Sequence, residues 1–115
     1  EFRRVLFRSG KMRAYQNSSI AGMTEPTGWH YHICEMQFVY VLRGTLTIEF
    51  EDGTVATFSA GDAFFVPGGM KHNEIYVSED KEALEVSVPG KIGTVNCERP
   101  AGLPERLRVV SNDNP

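Results

Sequence analysis

The sequence predicts an all-β chain that folds as one domain with little or no helix. From residue 36 onward, short apolar alternations are separated by turn residues, and no long window has a 3.6-residue period. Asp-Gly and Pro-Gly pairs recur between these alternations, as they do in hairpins. The length of 115 residues, 41% of them hydrophobic, suits one compact domain with a modest core.

The predicted strands follow one another with short connections. Gly44 separates the first two, and Glu51-Asp52-Gly53 forms the hairpin turn into the third. Gly61-Asp62 precedes the fourth, which ends at the turn Pro67-Gly68-Gly69. The predicted ranges are 38–43, 45–50, 54–58, 63–66, 73–77 and 84–88. Strands at this spacing are typical of a sandwich or barrel.

The two ends of the chain depart from this pattern. Residues 1–9, EFRRVLFRS, have no helical or strand periodicity and resemble a translated sequencing adapter joined to a gene from environmental DNA. We therefore expect the barrel to span residues 10–99. The natural start is either Met12 or lost, and the absence of a signal peptide from this sequence proves nothing. Prolines and glycines interrupt the pattern past Pro89, so residues 100–115 are predicted to be an irregular tail, with one helical turn around Pro104 to Arg108.

Composition argues against two classes of partner. Twelve basic and fifteen acidic residues give a net charge of -3, and no basic run is long enough to follow a nucleic-acid backbone. No stretch approaches the roughly 20 apolar residues that a membrane helix needs. The two cysteines, Cys34 and Cys97, are interpreted as separate thiols rather than a disulfide framework, and they leave the compartment unknown.

All three histidines of the chain are predicted to belong to one metal site. His30 and His32 are at positions i and i+2, so on a strand both imidazoles point to the same face, roughly 7 Å apart at Cβ. His72 follows forty residues later, just after the Pro/Gly turn. An H-x-H pair with a third histidine behind such a turn predicts metal binding.

These segments resemble the two motifs of the cupin superfamily across residues 28–77. The first motif is H-x-H, a short spacer, Glu, six residues and Gly; here His30 and His32 are followed by Gln37 and Gly44, with Gln37 in the place of the Glu. The second motif is matched at four positions, while its final Asn is replaced by Tyr76. Those four positions are Gly61, Pro67, Gly69 and His72. The resemblance implies a jelly-roll β-barrel, or double-stranded β-helix, with the metal inside.

The ligand set that this resemblance implies is His30, His32, Gln37 and His72. An amide in place of a carboxylate leaves a divalent ion with neutral ligands and its full charge, which favours copper. Iron is the alternative, with zinc and nickel behind it, and manganese loses most from the exchange. Glu35, two residues earlier, is a competing ligand, or a carboxylate that contacts one of the ligands. Cys34 is interpreted as a small residue near the turn.

Other residues are assigned around this site by alternation. Gln37, Val39 and Val41 are predicted to face inward, and Phe38, Tyr40 and Leu42 outward. Because both faces are apolar, we expect a homodimer that covers the outer one; the alternative is coverage by the C-terminal tail. The expected apolar wall of the metal site consists of Met36, Val39, Phe65 and Met70. Tyr15, Trp29 and Tyr31 are candidates for a substrate-binding rim.

Three imidazoles with open coordination positions favour redox chemistry with oxygen or hydrogen peroxide over hydrolysis. In its size, ligand set and adapter-like head the chain is similar to a compact type of copper cupin, found in metagenomes, that cleaves cellulose oxidatively. That similarity implies an extracellular, homodimeric copper oxidoreductase whose catalytic residues are its ligands and whose products are oxidised, cellobionic-type sugars. Two alternatives stay open: an iron-dependent dioxygenase for a small organic substrate, and a non-catalytic cupin that binds a metal or effector.

Overall fold

A computed structural model gives the fold, and it describes residues 2–18, 25–90, 92–103 and 108–111. Within these ranges the chain forms strands separated by turns, and no residue there is helical. The strands are β1 (Phe2–Arg8), β2 (Arg13–Ser18), β3 (His30–Ile33), β4 (Met36–Arg43), β5 (Thr45–Phe50), β6 (Thr54–Ser59), β7 (Ala63–Pro67), β8 (His72–Val77), β9 (Glu82–Val88), β10 (Gly93–Asn96) and β11 (Arg108–Ser111). In this part of the chain no helix is long and apolar enough to cross a membrane.

The strands form two sheets that face each other as a jelly-roll barrel. The first sheet has the order β1-β2-β9-β4-β7 and the second has the order β10-β3-β8-β5-β6-β11. All pairings are antiparallel except that of β11 with β6, which is parallel. The hydrophobic core fills the space between the sheets, and its buried residues are Val41, Leu46, Ile48, Ala56, Phe58 and Val77. The predicted all-β jelly-roll fold is confirmed.

Strand β4 has the alternation that its sequence predicts. Val39 and Val41 are 6% and 0% exposed and contribute to the interior, whereas Tyr40 and Leu42 are 37% and 41% exposed on the outside. Gln37 is 8% exposed and shares the inner face with the two valines. Because side chains alternate along a strand, one polar residue at 37 is carried into the barrel by the same register that buries its apolar neighbours.

The turn at Gly44 allows β4 to continue directly into β5. Gly44 has φ of +72°, and a Cβ there would lie 2.7 Å from Asp80 Oδ1 and 2.8 Å from the Lys81 Cα. Such distances are shorter than real Cβ contacts, so no larger residue fits without movement of the segment before β9. The glycine that separates the two predicted strands is therefore required by backbone conformation and by packing.

Four strands lie where no strand was predicted. β1 forms within residues 1–9, β2 precedes the motifs, β10 lies past Pro89, and β11 forms in the tail expected to be irregular. In β1 the side chains of Val5, Leu6 and Phe7 are 48 to 50% exposed. This edge strand is held by backbone pairing with β2, so it needs no alternation of apolar and polar residues. Both β1 and β11 pair beyond the predicted 10–99 boundaries; the adapter origin of residues 1–9 stays a prediction.

The predicted helical turn falls mostly on residues 104–107, which lie outside the described residues. Arg108, its last residue, begins β11 instead, where it pairs with Thr54. The parallel pairing adds β11 to the free edge of β6. A short strand with few side-chain requirements is hard to recognise in a segment that contains prolines.

Candidate metal centre

The three histidines converge on one point inside the barrel. His30 on β3 and His72 on β8 are direct register partners, and their ring centroids are 4.3 Å apart. The ring of His32 lies 5.2 Å from that of His30 and 5.1 Å from that of His72. One nitrogen of each ring lies within 4.8 Å of the corresponding nitrogens of the other two. These residues, called the histidine cluster below, are all held by the second sheet.

The Pro67-Gly68-Gly69 turn aligns the two motifs. The Gly69 N–H donates to the His32 carbonyl at 2.9 Å, and the Gly68 N–H donates to the Glu35 carbonyl at 3.0 Å. A Cβ at Gly68 would overlap the Cys34 carbonyl oxygen. Since only glycine permits this approach, the turn sequence places the strand that carries His72 against the strand that carries His30 and His32.

Hydrogen bonds at Nδ1 orient the imidazoles. Nδ1 of His30 lies 2.8 Å from the Gly28 carbonyl, and Nδ1 of His72 lies 2.9 Å from the Met70 carbonyl. A carbonyl only accepts, so in both rings Nδ1 carries the proton and Nε2 keeps its lone pair. His32 Nδ1 lies 3.1 Å from the Thr94 hydroxyl, which pairs with either tautomer. Partners of this kind fix ring orientation at metal sites.

The surroundings of His32 and His72 favour the uncharged imidazole, because they lower the pKa of both side chains. Burial, with the neighbouring imidazoles of His72 and His30, lowers the pKa of His32 to about 4. Burial also lowers the pKa of His72, against the effect of its bond to the Met70 carbonyl. Neutral imidazoles are the form that binds metals, so protons do not compete for the lone pairs of these two side chains near neutral pH.

The donor set fits a transition metal. It offers three imidazole nitrogens that are already oriented, and among the described histidine, cysteine and acidic residues no carboxylate or thiolate joins the group. Imidazole donors suit copper, iron, zinc and nickel, whereas magnesium, calcium and manganese prefer oxygen ligands. The fold therefore provides the geometry and the protonation state that such an ion requires.

A cavity of about 330 Å³ opens beside the histidine cluster and extends to the first sheet. Across from the histidines it is lined by Asn17, Gln37, Lys81 and Glu85, called the polar wall below. Apolar residues complete the interior, and they are Val39, Leu46, Ile48, Phe64 and Val66. Arg3, Thr27, Thr94 and Asn96 also line it and are exposed, so they mark its mouth.

The members of the polar wall are held by hydrogen bonds. Gln37 Nε2 donates to Glu85 Oε1 at 2.8 Å and approaches the Tyr15 hydroxyl at 3.4 Å. The Lys81 ammonium, only 5% exposed, donates to Asn17 Oδ1 at 2.6 Å. Burial and the carboxylate of Glu85 raise the pKa of Tyr15. The cavity thus presents donors and acceptors opposite the histidine cluster.

Gln37 lies in the cavity, and Glu35 does not. Glu35 is exposed in the turn between β3 and β4, where its backbone N–H donates to the Val88 carbonyl at 2.7 Å. Cys34 lies in the same turn as a free thiol, and Cys97 is free as well. Gln37 is on the inner face of β4, so of these candidates it is the one whose side chain shares the cavity with the histidines.

Of the four residues predicted for the apolar wall, one lines the cavity and three do not. Val39 lines the cavity, but Phe65 is 62% exposed, because the alternation of β7 turns Phe64 inward instead. Met70 contributes its carbonyl to His72 rather than a cavity-lining side chain. Met36 is half-buried at the start of β4 and does not line the cavity.

The predicted aromatic rim is not formed. Tyr15 is 3% exposed, with the Arg3 and Arg13 guanidinium groups 4.9 and 4.7 Å from its ring centre. Trp29 is 8% exposed, and Tyr31 is half-buried opposite Val95; neither lines the cavity. These side chains are on elements whose packing covers them, so no aromatic residue among the three reaches the mouth.

Sequence reasoning missed several residues of the cavity. Glu85 alternates with Leu84 and Val86, a pattern that normally indicates a solvent-facing carboxylate. Thr94 lies past Pro89, where no strand was predicted, and Asn17 and Lys81 carry no motif. The one available signal was the strand alternation around residue 85, which fits a polar interior face as well as a solvent-facing one.

Comparison with known proteins agrees with this geometry. The family model described as "Cupin domain" matches residues 20–88. A search of curated proteins finds no match. Among solved structures, a double-stranded beta-helix protein from Klebsiella pneumoniae is 19% identical over 84% of both chains, with a TM-score of 0.66.

Two further structures share the fold at low identity. KdgF from a Halomonas species is 24% identical over 77% of this chain and 78% of that one, with a TM-score of 0.58. A salicylate 1,2-dioxygenase variant from Pseudoaminobacter salicylatoxidans, in complex with gentisate, is 15% identical over 75% of this chain and 24% of that one, with a TM-score of 0.60. Identities of this size show a common fold.

Proposed function

The chain belongs to the cupin family, and from that premise we propose that it is a mononuclear copper-dependent oxidoreductase that cleaves cellulose oxidatively. His30, His32 and His72 hold the copper, and Gln37 provides a fourth, neutral ligand. Hydrogen peroxide is the co-substrate, and the products are oxidised sugars of the cellobionic type. Such a substrate is an extracellular polymer, so the proposal includes an extracellular site of action.

The observation that carries the proposal is the uncharged donor set. Three imidazoles meet without a carboxylate among the described residues, and Gln37 stands at the position where the cupin motif has Glu. Neutral nitrogen ligands suit copper, which heads the divalent affinity order, and they favour its reduced state more than a carboxylate does. Copper held there supplies one-electron chemistry with peroxide.

The side chains around the donors have separate tasks in this proposal. The Gly28 and Met70 carbonyls and the Thr94 hydroxyl hold the rings in place. Val39, Ile48 and Phe64 exclude bulk water from the interior of the cavity. The polar wall offers an ammonium donor at Lys81 and a carboxylate acceptor at Glu85, a combination that matches sugar hydroxyls.

The dimensions of the cavity favour attack at a chain end. About 330 Å³ is at the lower end of the roughly 300–1,000 Å³ typical of small-molecule sites, and the cavity is open to solvent at its mouth. One peroxide oxygen is inserted into the C1–H bond beside the glycosidic oxygen, and the other leaves as water. The hydroxylated C1 then expels the glycosidic oxygen to give a lactone, which water opens to the aldonic acid.

The test begins with metal analysis of the purified protein and copper reconstitution. The loaded protein is incubated with cellulose and peroxide or a reductant, and soluble products are identified by mass spectrometry, with His32→Ala as the control. One copper per chain and aldonic acids that the variant does not release support the proposal. Tight binding of iron alone, with cellulose unchanged, would replace it with a dioxygenase acting on a small organic molecule.

We also propose that the protein is a homodimer formed through the outer face of the first sheet. Phe7, Ala14, Val86, Phe38 and Phe65 lie in one cross-strand row over all five strands. Tyr40 extends this apolar face in the next row, and Phe65 is 62% exposed. An apolar face that spans a whole sheet is typical of a protein contact, and a second copy presents the same face.

Light scattering at several concentrations tests the dimer. Phe65→Asp is expected to give the monomer mass, because it places a charge on the most exposed aromatic residue of this face. Tyr76→Asp is the matched control, since Tyr76 is 49% exposed on the second sheet. A monomer mass for the unchanged chain would favour a free apolar face instead.

A further inference from the structure

We propose that Glu85 is a positioning residue for the metal centre. Glu85 orients the Gln37 amide, and it supplies the negative charge that residue 37 lacks without being a ligand itself. This inference rests on Gln37 as a copper ligand in the proposed function. It concerns a residue of the opposite sheet from the histidine cluster. No motif contains Glu85, and its place in the site comes from the structure alone.

The orientation of the amide follows from its contacts. A carboxylate only accepts hydrogen bonds, so the Gln37 atom at 2.8 Å from Glu85 Oε1 has to be Nε2. The Tyr15 hydroxyl, 3.4 Å away, lies on the same side of the amide. Because Nε2 is held there, Oε1 of Gln37 faces the rest of the cavity. Gln37 and the histidines line this cavity together. The oxygen is the atom with which an amide binds metals.

Strand pairing places Glu85 at this point. β9 is the central strand of the first sheet, with Tyr15 and Val39 as the register partners of Glu85 on either side. Gln37 pairs with Ser87, which makes it a diagonal neighbour of Glu85 on the inner face. Both residues therefore belong to a rigid part of the barrel, and their contact does not depend on a loop.

The same contact explains why residue 37 is a glutamine. A glutamate there would place a second carboxylate oxygen at the position of Nε2, next to Glu85 Oε1. Two carboxylates at that distance cannot both be ionised without a large cost. In this chain the negative charge is on Glu85, which accepts a hydrogen bond from Gln37, the residue at the position of the family's glutamate ligand. The ion keeps neutral ligands while a carboxylate polarises one of them.

The test measures copper(II) binding and its electron paramagnetic resonance spectrum in the full chain, without substrate. Glu85→Met removes the acceptor and releases the amide, so copper affinity is expected to fall about tenfold and the copper hyperfine splitting to change. Glu85→Gln keeps an acceptor for Nε2, so it should retain the spectrum and lose less affinity. Glu82→Gln, on the same strand and outside the cavity, is the matched control for charge.

An exchange of the two residues gives a second readout in the metal-free protein. Gln37→Glu is expected to lower the melting temperature, and Gln37→Glu combined with Glu85→Gln to recover most of the loss, because the amide and carboxylate then face each other again. Additive effects, or a Glu85→Met protein with the affinity and spectrum of the Glu82→Gln control, would overturn the inference. Since no substrate is used, failure of cellulose cleavage leaves these results intact.

Discussion

The histidine cluster and the polar wall are polar groups on opposite sides of one cavity, and different interactions hold them. The histidines of the second sheet are oriented mainly by backbone carbonyls two residues before them in the chain, at Gly28 and Met70. The polar wall of the first sheet is held by side chains from separate strands, such as Gln37 with Glu85 and Lys81 with Asn17. One side is organised locally, and the other depends on long-range pairing.

This difference decides what each side tolerates. A local arrangement is restored whenever the strand forms, so a change on the first sheet should leave the histidine cluster intact. A buried hydrogen bond between two side chains is lost when one partner is removed. The remaining partner is then a buried polar or charged group without that bond, which lowers stability. We therefore expect substitutions in the histidine cluster to affect metal binding most, and substitutions in the polar wall to affect stability most.

The largest expected effect is loss of the metal in His32→Ala. Removal of one of three imidazoles should lower copper affinity more than about 100-fold, since even outer partners of metal ligands typically contribute 10- to 100-fold. A competition titration with a chromophoric chelator measures the change. Asn96→Ala, at the mouth of the cavity, is the control. Unchanged affinity in His32→Ala would mean that copper binds elsewhere.

A second prediction concerns the polar wall. Asn17→Ala leaves the ammonium of Lys81 buried without this acceptor, so the free energy of unfolding should fall by about 2 to 3 kcal/mol, with copper affinity kept. Urea denaturation of the metal-free protein measures it. Adding Lys81→Met removes the buried charge as well and should recover part of the loss. If copper affinity falls along with stability, the Asn17–Lys81 pair also contributes to the metal site.

A smaller effect is expected from Thr94→Val. This change keeps the shape of the side chain but removes the hydroxyl 3.1 Å from His32 Nδ1. Copper affinity should fall about tenfold, which is the lower limit of the loss typical when a residue hydrogen-bonded to a metal ligand is replaced. Thr54→Val, on β6 and outside the cavity, is the control. Equal affinities of the two variants would show that β3 alone fixes the His32 ring.

The smallest expected effect is a dependence of metal-free stability on pH. His32 has its pKa lowered to about 4 in the folded protein, against an ordinary value of 6.5. Between these values the unfolded chain binds more protons, so the stability present above pH 6.5 is lost as pH falls towards 4. With allowance for solvent near this partly exposed ring, we expect about 1 to 2 kcal/mol. Melting curves should show a flatter profile for His32→Gln, and parallel profiles would contradict the assignment.

The same contrast explains which parts could be predicted from the sequence. The histidine cluster was predictable because H-x-H on a strand and the Pro-Gly-Gly turn before His72 are local patterns with defined geometry. Glu85 was not, because its role arises from pairing of β9 with β4, a partner more than forty residues away. Strands β1 and β11 were missed because edge pairing uses backbone groups and leaves little pattern in the side chains.

The register pair between His30 and His72 also has a consequence for the unfolded chain. An ion held by both strands joins residues about forty positions apart, so it closes a loop as a disulfide bond does. Loop closure of that length is entropically costly, and the cost rises only slowly with further length. A metal bound there would therefore act as a crosslink that favours the folded barrel by its binding free energy, in a chain whose two cysteines are both free thiols.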